Sequence, residues 1–196
     1  MFRYWIMPIL LLTAAPAAAG PADDGRWYTG AYAFSDELGG FRILSASGTG
    51  TRADPITIVQ ELVSADPAAL TIYAALPINP TGKLGEWVTG MMHLRVVTVN
   101  HSGLPWIGFA FELQEIRGEP STFHDGLSFD QRQTHSENVG VRPFASVERH
   151  FEPYDRLEFT EGHVDPNEDA SFRFFISDFT PVQQFYLLQD PQIPFS

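Results

Sequence analysis

Asp165, Asn167 and Asp169 alternate along one acidic stretch, a spacing that would let three side-chain oxygens converge on a hard cation. Calcium is the cation such a set suits, although it takes about six to eight oxygens and the stretch supplies three. The EF-hand pattern is not completed, because Ala170 stands where Gly is required and Ile176 where the bidentate Glu belongs. Asp, Asn and Pro are also ordinary turn formers, so a solvated acidic turn is the competing reading. Histidines stand at 93, 101, 124, 135, 150 and 163, none at zinc-ligand spacing and none in His-Glu-x-x-His. Of these, His124 and His135 share an irregular stretch with Asp125, the one set from which a metal site would be assembled in space.

Nucleophilic chemistry finds little support. There is no cysteine, and Gly-x-Ser-x-Gly is absent. Glu112 and Glu158 are a carboxylate pair that the fold would have to bring to glycosidase distance. No catalytic residue is assigned on this basis, and the chain is expected to bind rather than to catalyse. Aromatic residues offer the alternative: Trp87, Tyr73 and Tyr154 are the candidates for stacking on sugar rings, with Trp87 the most exposed because it follows a Gly/Pro-rich loop. Trp106, at a strand start, is expected to pack at the end of the fold.

The elements that must hold these residues are strands. Segments rich in Val, Ile, Phe, Tyr and Thr with period two recur between Gly, Pro, Asn and Asp clusters, with no helical period between them. The strands expected are 26–34, 41–47, 56–63, 69–75, 91–100, 106–114, 144–151, 156–159, 171–177 and 182–189. That spacing predicts an all-β, antiparallel β-sandwich, immunoglobulin-like or jelly-roll-like. Within 106–114, Ile107, Phe109, Phe111 and Leu113 are expected to face the core. Residues Asn100 to Pro105 join strands 91–100 and 106–114 by a hairpin or tight corner. The segments holding Leu157 and Phe159, and Phe172, Phe174 and Ile176, read as neighbouring strands. Two irregular stretches, 76–90 and 115–141, read as long surface loops.

Val99 to Leu113, Asp125 to Phe129 and Leu157 to Phe159 together resemble a pattern in exported bacterial β-sandwich, immunoglobulin-like proteins, in which an Asn-x-Ser/Thr-Gly turn precedes a Trp-containing strand. The resemblance covers the second half of the mature chain and implies compartment and fold rather than chemistry. Asn100-His101-Ser102 also matches the N-glycosylation sequon.

The chain opens with Arg3, an apolar run from Trp5 to Thr13 and Ala17-Ala18-Ala19, the arrangement of a secretory signal peptide over residues 1–20. Residues 21–196 are expected to form one domain, periplasmic or secreted, with no membrane span. Against 24 Asp plus Glu stand 12 Lys plus Arg, a net charge of −12. Lys83 is the sole lysine and the arginines are scattered singly, which argues against a nucleic-acid partner. The expected partner is a protein or polysaccharide of the envelope or exterior, taken up by loops or by a free edge strand such as Phe185 to Leu188.

Overall fold

The computed structural model describes residues 20–122, 124–130, 139–151 and 154–194. His135, and the leader except for Gly20, lie outside the described residues. Among the described residues there are strands but no helix: β1 (Trp27–Thr29), β2 (Tyr32–Ser35), β3 (Phe41–Ser47), β4 (Ile56–Leu62), β5 (Ala68–Ala74), β6 (Met91–Asn100), β7 (Gly108–Gln114), β8 (Leu127–Ser128), β9 (Gly140–Arg142), β10 (Ser146–His150), β11 (Arg156–Thr160), β12 (Asp169–Asp178) and β13 (Gln184–Gln192). They form two sheets. One has seven strands in the order β1-β2-β5-β13-β7-β11-β10. The other runs β3-β4-β6-β12, with β8 and β9 both paired to the far side of β12. All pairings are antiparallel except β4 with β6.

Alternation explains why these segments are strands with one buried face. Along β6 and β13 buried and half-buried residues alternate without a break, so each strand gives one side to the core and one to the surface. The two inner faces meet in a phenylalanine cluster. Phe172 of the six-stranded sheet lies 4.7 Å from Phe109, 5.0 Å from Phe111 and 5.0 Å from Phe159 of the other sheet, ring centre to ring centre. Phe174 lies 5.0 Å from Phe111. Such pairs add about 0.5–1.5 kcal/mol each beyond their area burial.

A polar bond also crosses this core. Gln60 of β4 and Gln189 of β13, both fully buried, bond through their amides, with Thr98 Oγ1 3.4 Å from Gln60 Nε2. Glutamine is ordinarily a surface residue, and nothing in its spacing marked either as core. Gln60→Leu strands the Gln189 amide in the core and is expected to cost about 2 kcal/mol in denaturant unfolding, while the Gln60→Leu/Gln189→Leu double variant recovers most of the loss. Equal losses in the single and double variants would show that the bond has no such role.

Several expectations are corrected. Arg26 to Phe34 is a hairpin, β1 and β2, which turns at Gly30. Of the two alternatives for the β6–β7 connection, the hairpin or the tight corner, the structure has the corner between sheets, because β6 pairs with β4 and β12 whereas β7 pairs with β11 and β13. Phe109, Phe111 and Leu113 are buried as expected, but Ile107 is 46% exposed. The chain is still turning there: Trp106 bridges Val164, and regular pairing begins at Gly108. β11 and β12 are not neighbours; they lie in opposite sheets and meet through their rings across the core. Phe185 to Leu188 is not a free edge, since β13 is hydrogen-bonded to β5 on one side and β7 on the other.

Candidate functional site

Strand register sets outward side chains of the six-stranded sheet in rows that run across the strands. Arg95 on β6 is flanked by buried Leu94 and Val96, and Arg173 on β12 by buried Phe172 and Phe174, so both arginines point outward. They are direct partners, and Gly140 of β9 follows Arg173. In the next row Val97, Ser171 and Arg142 are partners in turn. Arg95, Arg142 and Arg173 together with Gly140, Val141 and Ser171 line an open groove of about 230 Å³. Chain positions 95, 142 and 173 gave no hint of this: the arginines that look solitary in sequence are gathered by pairing of β12 with β6 and β9.

These cations lack the partners that others have. Arg26, Arg42, Arg149 and Arg156 each face a carboxylate within 4.0 Å. Arg95 Nε donates to Ser171 Oγ at 3.1 Å, while Arg142 and Arg173 make no side-chain hydrogen bond or ion pair among the described residues. Like charges directly opposite on paired strands are destabilising. In a chain with twice as many acidic as basic residues, a bare arginine pair is the reverse of what folding alone favours.

The groove has defined borders. On one side His93 packs against Phe175, ring centres 4.6 Å apart. Burial, then the nearby Arg52, hold the His93 pKa below its ordinary value, with Asp130 acting in the opposite sense. On the other side lies a row with Glu61 and Asp169, partners of Val99. Burial opposes the Glu61 carboxylate, but Arg42 and His101, the latter at 2.9 Å, outweigh it and keep its pKa low. Three planar guanidinium forks suit bidentate bonds to a carboxylate, phosphate or sulfate. The lining residues include no carboxylate and no imidazole.

The residues singled out from sequence are dispersed. Asp165 to Glu168 form a β-turn in which Glu168 N–H donates to Asp165 O at 3.0 Å, with Pro166 second and Asn167 third at φ 73°, the pattern of a type II turn. Asn167 N–H donates to Asn100 O at 2.7 Å, and Asp165 N–H donates to Glu168 Oε2 at 3.2 Å. Pro166 and Asn167 thus occupy the positions that such a turn asks of them. No group of three or more His, Asp or Glu able to hold a metal occurs among the described residues. Glu112 and Glu158 do share the outer face of the seven-stranded sheet, but Glu112 has Arg156 at 3.9 Å and Glu158 has His150 at 3.0 Å.

Trp87 is 39% and Tyr154 51% exposed. One side of the Trp87 indole is covered by Gly82, where a Cβ would come within 2.7 Å of the ring. Tyr73 is engaged: Arg26 sits 3.8 Å above its ring, and its hydroxyl donates to Glu37. Burial and Glu37 push its pKa up to about 12. Tyr73 on β5 and Tyr154 before β11 stand three strand intervals apart, roughly 14 Å, so they do not make one platform. No protein-family model, no curated protein and no solved structure matches this chain.

Proposed function

We propose that the chain is an exported, non-catalytic binding protein with an immunoglobulin-like or jelly-roll-like sandwich, which holds an anionic group of its ligand in the Arg95–Arg142–Arg173 groove. One observation carries this reading: three outward arginines line one groove with no carboxylate partner among the described residues, two of them directly opposed, in a strongly acidic chain. The leader-like N terminus supports export, and no helix among the described residues is long and apolar enough to cross a membrane.

Calorimetric titration with sulfate, phosphate and glucuronate tests the reading. Hydrogen bonds to charged groups are worth about 1.5–3 kcal/mol, so Arg173→Gln should weaken binding roughly 10–100-fold. Arg95→Gln/Arg173→Gln should abolish it with no fall in melting temperature, since removing a like-charge pair does not weaken the sheet. Equal affinity in wild type and double variant, or no heat with any of the three anions, would overturn the proposal.

A further inference from the structure

Resting on that reading, we infer that the ligand is an acidic polysaccharide of low charge density, a uronate-bearing chain laid across the strands of the six-stranded sheet. Register carries the row beyond the arginines: Ser47, Thr57, Arg95, Arg173 and Gly140 are successive partners on β3, β4, β6, β12 and β9. Four strand intervals make a strip of roughly 19 Å, longer than one anionic group occupies. The adjoining row is Ser45, Val59, Val97, Ser171 and Arg142.

The strip therefore presents hydroxyls at Ser45, Ser47, Thr57 and Ser171, half-buried apolar surface at Val59 and Val97, and guanidinium forks at one end. A uronate chain carries the matching set. Its hydroxyls exchange hydrogen bonds with Ser and Thr, the C–H faces of its rings cover valine, and its carboxylate takes a bidentate arginine.

Net charge decides between polyanions. At −12 the molecule repels a densely charged polymer wherever that polymer leaves the groove. At physiological salt charges act on one another over about 8 Å, a reach that covers direct contact, so a nucleic-acid backbone, a heavily sulfated chain or an anionic bilayer meets this repulsion wherever it lies against the acidic surface. The row with Glu61 and Asp169 adds to it along one border. A carboxylate once per sugar gains the short-range bonds of the groove and little of the repulsion.

The experiment titrates the mature protein with galacturonate, its oligomers of increasing length, oligoglutamate, heparin, and vesicles containing phosphatidylglycerol. Affinity should rise at least tenfold from monomer to tetramer, and the other three probes should bind no tighter than the monomer. Arg173→Gln should weaken monomer and oligomer alike. Ser47→Asp, an exposed change at the far end of the strip, should lower oligomer affinity at least fivefold and leave the monomer unaffected. Length-independent affinity, a Ser47→Asp variant that binds oligomers normally, or tighter binding of oligoglutamate, heparin or vesicles would overturn the polysaccharide inference while leaving the anion groove intact. Failure of every anion, including sulfate and phosphate, would overturn both.

Discussion

Asp155→Ala is expected to lower the stability of this protein by about 3–5 kcal/mol, the cost of leaving a buried charge without its partner. The side chains of Asp155 and Arg149 are each only 5% exposed. Arg149 forks onto the carboxylate, Nε to Oδ1 at 3.2 Å and Nη2 to Oδ2 at 3.1 Å. Asp155 also accepts from the Ser128 hydroxyl and from Phe129 N–H at 2.8 Å, and Arg149 Nη1 donates to Asp130 O at 3.1 Å. β8 belongs to the six-stranded sheet and β10 and β11 to the other, so this cluster fastens one layer to the other at a point where pairing is short. With about 2–4 °C per kcal/mol for a chain of this size, thermal unfolding should move down by roughly 6–20 °C. Asp155→Leu/Arg149→Met should recover most of that, since apolar replacement of a whole buried pair is often neutral. A single variant that melts within 2 °C or so of wild type would show that the pair is solvated.

Asn100→Ala should cost about 2–4 kcal/mol. The side chain is fully buried at the corner where the chain leaves one sheet for the other. Its Nδ2 donates to Leu104 O at 2.8 Å and to Val164 O at 3.0 Å, and its Oδ1 accepts from Ser102 N–H at 3.1 Å. Its own backbone joins the same knot, N–H to Glu168 O at 2.9 Å and O from Asn167 N–H at 2.7 Å. Truncation removes both donated bonds and the acceptor of Ser102 N–H and of the Ser102 hydroxyl, the latter at 2.7 Å, each bond worth about 0.5–1.5 kcal/mol, while Val164 O keeps Trp106 N–H at 3.0 Å. Asn100→Asp turns a carboxylate oxygen toward Leu104 O and Val164 O in a fully buried position and should lower the denaturant midpoint at least as far as Asn100→Ala at neutral pH. Equal midpoints for all three proteins would refute the assignment. A glycan on this nitrogen would replace one of the two donated bonds and find no room at a fully buried side chain, so the folded protein should carry no sugar at the sequon, a point that mass spectrometry of material from a glycosylating host checks.

How much of this was legible beforehand follows from the range of the forces involved. Period two is a local property, and β6, β7 and β12 were recognisable because Leu94 and Val96, Phe109 and Phe111, Phe172 and Phe174 each alternate with residues of another kind within one strand. Trp106 was expected to pack at the end of the sandwich and is fully buried, with Nε1 donating to Ser102 Oγ at 3.2 Å. Trp87 was expected to be exposed and is. Short strands with no internal period, β8 and β9, were invisible; they exist because β12 offers them an edge. The groove was missed for the same reason. His93 and Arg95 on β6, and Ser171 and Arg173 on β12, mark outward polar faces in sequence, yet neither strand says which strand it will lie beside.

By itself, then, the sequence determined the class of the fold: backbone sterics and the alternation of apolar side chains act over a few residues and require no knowledge of distant ones. Tertiary structure alone decided which outward side chains lie together. Which outward rows adjoin depends on strand order and register, and these are set by packing of the two phenylalanine-rich inner faces, a property of the whole chain. That packing brings Arg95 opposite Arg173 and Arg142 beside Ser171, and it moves β13 from an expected edge to the middle of its sheet.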